Sequence, residues 1–146
     1  MEIPDFLNLP GLQTLSVRLD DGQYNILAEG VTSPGRCSKC GHDGLYAHGS
    51  RPQAYADVPH HGNISVIHVD RKRVRCRACG GITLQPLPDM AEAHMMTRRL
   101  VKRVERDGLQ RTFSEVAREI GVHERTVRRI IADHIRWLEG QHRFET

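Results

Sequence analysis

The sequence predicts an α+β protein in which a small β-rich part, beginning with a β-hairpin, is followed by a domain of three helices. Three observations lead to this fold class. Short runs in which apolar and polar residues alternate dominate up to about residue 76. Two Cys-x-x-Cys pairs of equal spacing lie in the middle and at the end of that region, and the hydrophobic period becomes helical from about Met96. A chain of 146 residues has room for one or two small domains.

Residues 1–30 are predicted to form a β-hairpin that packs on the next part of the chain. Apolar side chains nearly alternate with polar ones between residues 12 and 19, and residues 24–28 form a second β-prone run. The dipeptide Asp21-Gly22 between the two runs is a frequent hairpin turn. This part of the chain is acidic, with five Asp or Glu residues against a single arginine.

The four cysteines of the chain form two pairs of equal spacing, Cys37-Ser-Lys-Cys40 and Cys76-Arg-Ala-Cys79, and a glycine follows each pair. One such pair places two sulfurs on the same side of a metal ion, and two pairs supply a closed tetrahedral shell of thiolates. We therefore predict a zinc ribbon over residues 31–80 that binds one structural Zn²⁺ through Cys37, Cys40, Cys76 and Cys79. A shell without an open position stabilises a fold and does not activate water.

Disulfide or redox chemistry is the alternative for these cysteines, and His42 or His48 is an alternative ligand if the first pair is irregular. Residues 1–6 lack the basic and apolar regions of a secretory signal, which predicts a cytoplasmic location where disulfides are rare. Neither pair has the directly following histidine that attachment of a c-type haem requires. No apolar run reaches the length of a membrane span, so no membrane association is expected.

The strand that leads into the second cysteine pair is strongly basic. Residues 71–77 contain five Arg or Lys residues and no acid. Alternation along a strand puts Arg71, Arg73 and Arg75 on one face, where they would suit a phosphate backbone. Alternatively, part of this charge offsets the two negative charges of a zinc ion bound by four thiolates. Further strands are predicted at residues 45–48, 54–58 and 64–69.

Residues 81–95 contain Pro86 and Pro88 and no long periodic pattern, so they are predicted to form an extended linker. A helix-turn-helix domain is predicted over residues 96–140, with a tail over residues 141–146.

The three helices of that domain are predicted from caps and period. Thr97 and Thr112 are N-cap residues of the first two helices, and the second runs from Phe113 to Ile120. The third runs from about Glu124 to Leu138, after a three-residue turn that contains Gly121. Two helices joined in this way form the helix-turn-helix signature, although an ordinary helical hairpin in a three-helix bundle shares the pattern.

The basic charge of this domain indicates a polyanionic partner, because residues 97–136 carry eleven Arg or Lys residues and six acids. The outward face of the third helix is predicted to read bases, since arginine can donate two hydrogen bonds to guanine. Glu124 can accept from cytosine or stabilise the helix N-terminus. The predicted base-reading residues are Glu124, Arg125, Arg128 and Arg129. The predicted phosphate contacts are Arg71, Arg73, Arg75, Arg98, Arg99, Arg103 and Arg111, each of which can alternatively form a surface ion pair.

Taken together, these motifs resemble the N-terminal half of bacterial insertion-sequence transposases of the ISL-three type. The resemblance is carried by Leu9-Pro-Gly-Leu12, the two cysteine pairs with the basic strand, Asp57-Val-Pro59 with Gly62, Ser114-Glu-Val-Ala117, Gly121-Val122 and Thr126-Val127. It implies a zinc-stabilised module that binds double-stranded DNA at transposon ends, in the cytoplasm and associated with the nucleoid.

A catalytic domain with an acidic metal-binding triad on an RNase-H-like sheet follows in that family. The sequence stops at Thr146, after the third helix, so we expect no catalytic activity and no small-molecule substrate. A stand-alone transcriptional regulator and a zinc-ribbon adaptor for protein partners are the alternative functions. A homodimer that pairs through Ile135 and Leu138 is a further expectation, since helix-turn-helix proteins commonly bind DNA as dimers.

Overall fold

A computed structural model describes residues 6–144 of the chain, in which a seven-stranded sheet precedes three helices. The strands are β1 (Leu12–Asp20), β2 (Gln23–Gly30), β3 (Leu45–His60), β4 (Asn63–Cys76), β5 (Ile82–Leu84), β6 (Met90–Ala91) and β7 (Met96–Thr97). The helices are α1 (Arg98–Asp107), α2 (Phe113–Ile120) and α3 (Glu124–Phe144), and a 3-10 turn spans Glu92–His94. The predicted α+β class is confirmed. None of the described helices is long and apolar enough to cross a membrane.

The N-terminal hairpin joins the sheet through an edge. Strands β1 and β2 are antiparallel, and the turn residues Asp21 and Gly22 have φ angles of 50° and 78°, as a type I′ turn requires. Strand β2 then pairs with β4 in parallel, from Gln23 opposite Ile64 to Ala28 opposite Val69. The hairpin is therefore part of the same sheet as the ribbon, whereas the sequence predicted that it packs on the ribbon.

Strands β3 and β4 form a long antiparallel hairpin that carries the first cysteine pair before it and the second pair at its end. The sequence predicted two short strands in place of β3, separated at residues 49–52. The structure has one strand of 16 residues, because a register shift between Ala47 and Ser50 accommodates this segment without ending the ladder. His61 and Gly62 form the tip, with φ angles of 51° and 77°.

Residues 81–95, predicted to be a linker, contribute two short strands to the sheet. Strand β5 pairs with β4, and β6 pairs with β7. Leu87 and Met90 are buried, and the buried Gln85 donates from Nε2 to the carbonyl oxygens of Gly30 and Thr32 at 3.0 and 2.9 Å. Prolines end the periodic pattern here, but the side chain of Gln85 next to them is fixed by partners more than 50 residues away.

Two apolar cores meet at β3. The sheet core contains Tyr55, Ile26 and Ile67 of the central strands, together with apolar residues of the segments that flank the sheet. The helical core contains residues of α1, α2 and α3, and Ala56 and Val58 of β3 pack against it. Alternate residues of one strand therefore serve both cores, so that the ribbon and the helices are in direct contact.

Candidate metal centre and nucleic-acid interface

The four cysteine sulfurs converge at one end of the β3–β4 hairpin. Their Sγ atoms all lie within 4.8 Å of one another. The Sγ atoms of Cys37 and Cys79 are 3.5 Å apart, as are those of Cys40 and Cys76. Four thiolates around one zinc ion, at about 2.3 Å from the metal, lie about 3.8 Å from one another. The arrangement therefore fits one tetrahedral Zn²⁺ and is too open for a disulfide bond, which is about 2.05 Å long.

The two cysteine loops have the same hydrogen-bond pattern. The backbone N–H of Cys37 donates to the carbonyl of His42 at 2.9 Å, and that of Cys76 donates to Gly81 at 2.9 Å. The amide of the residue two positions after each of these cysteines lies 3.4 Å from its sulfur. Gly41 and Gly80 close the loops with φ angles of 77° and 72°, a left-handed conformation that favours glycine.

The loop amides favour the thiolate form that binds metal. The N–H groups of Cys40 and Lys39 lower the pKa of Cys37 to about 6, and the N–H of Cys79 lowers the pKa of Cys76. At Cys40 the amide of His42 acts in the same direction, but the neighbouring sulfurs and burial outweigh it and raise the pKa to about 12. Four thiolates at this spacing need a cation among them, and a zinc ion supplies that charge and closes the shell.

The histidine alternatives lie outside this cluster. His42 accepts a hydrogen bond from the amide of Gly44 through Nδ1 at 2.9 Å, so its ring stabilises the first loop. Among the residues that the structure describes, the group able to hold a metal contains the four cysteines and no histidine. The structural zinc ion and its role as a staple are thus supported by the chemistry of the donor set.

The second functional element is the helix-turn-helix. The hydroxyl oxygen of Thr112 accepts from the amide of Glu115 at 3.2 Å, as expected of the predicted N-cap. Gly121 has a left-handed φ of 77°, and its amide and that of Val122 donate to the carbonyl of Ala117. This turn directs α3 away from α2, and it ends α2 with the carbonyl of Ala117 hydrogen-bonded.

Packing fixes α3 through its first two turns. Val127, Ile130 and Ile131 are buried against Leu100 and Val104 of α1 and against the apolar residues of α2. Beyond these turns the apolar stripe leaves the core, since Ile135 is 41% and Trp137 is 59% exposed. The N-terminal half of α3 is therefore held rigidly, and its opposite face is open to solvent.

The open face of α3 carries the predicted base-reading residues. Arg125 and Arg129 are exposed and form no ion pair within residues 6–144. Arg128 donates to Glu124 at 2.6 Å, and its guanidinium lies 5.9 Å from the ring centre of Phe113. A concave surface of about 440 Å³ lies beside the start of the helix, lined by His123, Glu124, Arg125 and Thr126. The face is wide, basic and accessible, as a helix that enters a DNA groove must be.

Two of the predicted phosphate contacts are structural residues in this fold. Arg71 is only 9% exposed, donates from Nε to the carbonyl of Gln85 at 2.6 Å and pairs with Glu92 at 2.9 Å. Arg99 donates through Nε and Nη2 to the buried carboxylate of Asp57, and through Nη1 to the carbonyl of Leu7. Both predictions are corrected, because segments far away in sequence cover these side chains and engage their donors.

The remaining predicted phosphate contacts differ in how far their side chains are already engaged by other protein groups. Arg103 and Arg111 both pair with Glu119 of α2, at 2.5 and 2.6 Å, so they stabilise the contact between α1 and α2. Arg98 is exposed and donates to the carbonyl of Pro88 at 2.9 Å. On β4, Arg73 is half-buried and Arg75 is exposed, and neither has an acidic partner among the described residues.

Sequence reasoning missed the part played by Asp57. This carboxylate is fully buried, accepts from the hydroxyl of Thr97 at 2.7 Å and is paired with Arg99. It connects β3 with the N-terminus of α1 and therefore holds the ribbon to the helices. A signal was present in the motif Asp57-Val-Pro59, but its partners lie 40 and 42 residues further along the chain.

A four-thiolate zinc site on a β-ribbon, joined to a helix-turn-helix with an open basic helix, defines a zinc-stabilised DNA-binding module. Two family descriptions match the chain: "zinc-finger of transposase IS204/IS1001/IS1096/IS1165" over residues 33–79, and "Helix-turn-helix domain of transposase family ISL3" over residues 85–135. The protein thus carries the zinc-ribbon and helix-turn-helix region of the ISL3 transposases, which confirms the resemblance inferred from the sequence. Comparison with curated proteins and with solved structures gave no match.

Proposed function

We propose that the protein binds the ends of a transposable element as a sequence-specific module, with α3 in the major groove. The observation that carries this proposal is a pair of exposed arginines at the start of α3 that form no ion pair in the part of the chain that the structure describes. Arg125 and Arg129 are free to donate to base edges, whereas most other arginines of the helical domain are held by acids or carbonyls. Arginine donates two hydrogen bonds to guanine, and each such contact contributes about 1–3 kcal/mol of discrimination.

The ribbon has a supporting role in this proposal. Its zinc ion stabilises the cysteine loops, and Arg73, Arg75 and Arg98 contact phosphates without reading sequence. The two matched regions are a zinc finger and a helix-turn-helix domain, both of which are DNA-binding types. Four thiolates around zinc would leave no open metal position, so we assign no catalytic step to the described residues. A protein that binds DNA in this way is expected at the nucleoid, in the cytoplasm.

The proposal is tested by selecting duplexes from random DNA with the zinc-loaded protein, followed by anisotropy titrations in a salt series. We expect the selected sequence to match terminal repeats near the gene, and the affinity to fall steeply with salt. Arg125→Ala should reduce binding to the selected duplex at least tenfold more than binding to a scrambled one. Arg136→Ala is the control, because Arg136 lies further along α3 in an ion pair with Asp133.

Each result distinguishes the candidate functions. Selection of a promoter sequence in place of an element end would favour a transcriptional regulator with the same module. The absence of binding to any duplex at low salt would contradict the DNA-binding proposal and favour an adaptor for protein partners.

A homodimer formed through the second half of α3 is part of the proposal. Ile135 and Trp137 are exposed there, and their burial against a second copy would remove apolar surface from water. Sedimentation equilibrium of the wild type and of Trp137→Lys, with and without the selected duplex, tests this point. A monomer in all four samples would contradict it.

A further inference from the structure

The zinc end of the ribbon carries a cluster of basic side chains without acidic partners. We define this zinc end by Arg36, Lys39, Arg73, Arg75 and Arg77. None of these residues forms an ion pair in the described part of the chain. The guanidinium of Arg77 lies over the exposed ring of Tyr46 at 5.0 Å, and Arg75 donates to the carbonyl of Gly80 at 3.1 Å. These contacts orient the two guanidinium groups and leave their charge uncompensated.

This charge exceeds what the metal site requires. A zinc ion with four thiolates carries two negative charges, and Asp43 adds one more beside the first cysteine loop. Five cations therefore leave a net positive surface at the zinc end. In the helical domain, by contrast, Arg103 and Arg111 are paired with Glu119. Unpaired cations fit the regular negative charge of a nucleic-acid backbone, which takes up several of them at once.

The zinc end is held rigidly to the helix-turn-helix at the other end of the hairpin. Asp57 of β3 accepts from Thr97 Oγ1 at 2.7 Å, from Arg99 Nε at 2.9 Å and from His60 Nε2 at 3.2 Å. The carboxylate is completely buried, so water does not compete for these bonds. The joint between the two parts is therefore an ion pair with a buried carboxylate and not a flexible connection.

Apolar contacts reinforce the same joint. Ala56 and Val58 of β3 pack into the helical core, and the side chain of Ile64 on β4 lies against Gly121 in the turn before α3. A pivot of the helices on the ribbon would have to break these contacts together with the Asp57 bonds. The distance between α3 and the zinc end is therefore set by the length of the hairpin.

That length matches the repeat of DNA. Strand β4 contains both Ile64, beside the turn before α3, and Arg75 at the zinc end. At about 3.3 Å per residue this separation is about 36 Å along the strand. One turn of B-DNA, about 10 base pairs, measures about 34–36 Å.

We infer that α3 and the zinc end form one two-part surface that contacts a single duplex about one helical turn apart, with Asp57 as the residue that fixes their relative position. This inference rests on the proposed function, because α3 supplies the anchoring contact. The zinc end contributes phosphate contacts and no base reading, so it extends the required length of the duplex without extending the recognised sequence.

The test measures affinity against duplex length. Three probes carry the selected sequence. The short duplex ends at the α3 footprint, and each of the two extended duplexes continues for about 12 base pairs beyond the footprint, on one side or on the other. We expect the wild type to bind one of the two extended duplexes at least tenfold more tightly than the short one. The double variant Arg75→Gln, Arg77→Gln should lose most of this preference and show a salt slope on the extended duplex that is smaller by about 2. Arg18→Gln, on β1, is the control and should keep the preference.

Asp57 is tested by the same readout. Asp57→Asn retains the size of the side chain but removes its charge, and it should bind the short duplex within about twofold of the wild type while losing the gain on the extended one. Zinc content and helicity confirm that the variant is folded. If it is not, Asp57→Asn combined with Arg99→Gln removes both charges together, and this pair should show the same loss of the gain.

The outcomes separate the two proposals. Equal affinity of the wild type for all three duplexes would overturn the two-part surface and leave recognition by α3 intact. Failure of the wild type to bind any of them would overturn the proposed function itself. Retention of the full gain by a folded Asp57 variant would show that Asp57 does not set the relative position.

Discussion

Gly121, in the turn between the two helices of the helix-turn-helix, lies against the side chain of Ile64 at the start of β4. A Cβ atom on Gly121 would lie 2.7 Å from Ile64 Cγ2 and 2.9 Å from its Cδ1. Glycine is required here for two reasons, since the φ angle of 77° also disfavours any residue with a Cβ. The turn that orients α3 is therefore in direct contact with the ribbon.

Gly121→Ala should lower the free energy of unfolding by about 2–4 kcal/mol, the sum of left-handed strain and overpacking. Chemical denaturation followed by circular dichroism measures the loss. Gly62→Ala is a matched control, because Gly62 has the same φ of 77° but no atom within 4 Å of its Cβ position. It should lose only the strain, about 1–2 kcal/mol. Equal losses for the two variants would show that the contact with Ile64 does not matter.

Removal of one zinc ligand should loosen the zinc end and spare the helices. Cys76→Ser is expected to lose its zinc ion, to become sensitive to protease near the cysteine loops, and to retain most of its ellipticity at 222 nm. The reason is that the sheet core and the helical core contain none of the four cysteines. Metal analysis, limited proteolysis and circular dichroism check this result. Complete loss of helicity would show instead that the ribbon and the helices unfold as one cooperative unit.

The metal site and the helix-turn-helix could be predicted from the sequence because their signals are local. The spacing of each cysteine pair sets its loop, and the caps Thr97 and Thr112 act on amides three residues away. The turn at Gly121 is also determined within a few residues. Within each loop, cap and turn the partners lie a few residues apart, where spacing alone specifies contact. The four-ligand shell of a structural zinc ion then predicts that the two cysteine pairs meet, although their paired sulfurs are 36 and 42 residues apart in sequence.

The roles of several arginines could not be predicted, because their partners lie on other elements of the fold. Alternation places Arg71 and Arg75 on the same face of β4, but residues 85 and 92 return to cover only Arg71. The partners of Arg99 and Arg111 likewise lie on other elements. The same physical limit explains the mistaken linker, since prolines in residues 81–95 show where a regular pattern ends but not what the segment packs against.

Acid should weaken the joint between the ribbon and the helices. Burial alone would raise the pKa of Asp57, but the hydrogen bonds from Arg99 and Thr97 outweigh it and hold the pKa below its ordinary value. A lowered pKa stabilises the folded state above the unfolded pKa of about 3.9, and this stabilisation is lost as the pH falls through the folded value. The free energy of unfolding should therefore decrease below about pH 4.

Asp57→Asn removes this titration and should cost about 2–4 kcal/mol at pH 7, since Arg99 is left partly buried without its counter-charge. Urea unfolding at several pH values should show a shallower acid dependence for this variant than for the wild type. Asp20→Asn provides the comparison, because Asp20 pairs with Arg18 in an exposed position. An acid dependence that is unchanged in Asp57→Asn would assign the effect to other carboxylates.

The pair formed by Glu124 and Arg128 should control how strongly α3 binds DNA of any sequence. Their side chains are exposed and joined at 2.6 Å, so Glu124 both neutralises Arg128 and places a negative charge near the phosphates. Glu124→Gln should therefore raise the affinity for random duplex about threefold at low salt. Asp133→Asn is the matched control, because it frees Arg136 from a similar pair more than two turns further along α3. This variant should leave the affinity for random duplex and the affinity for the selected duplex unchanged.

Arg128→Ala tests whether the same pair also takes part in sequence recognition. If Arg128 leaves Glu124 to donate to a base, the variant should lose about tenfold more affinity for the selected duplex than for random DNA. In the double variant Glu124→Gln, Arg128→Ala, the gain on random duplex relative to Arg128→Ala should be smaller, since no arginine remains to be released and only the removal of the Glu124 charge contributes. Anisotropy titrations of the four proteins form a complete double-mutant cycle. Equal losses of Arg128→Ala on both duplexes would make Arg128 a phosphate contact and leave base reading to Arg125 and Arg129.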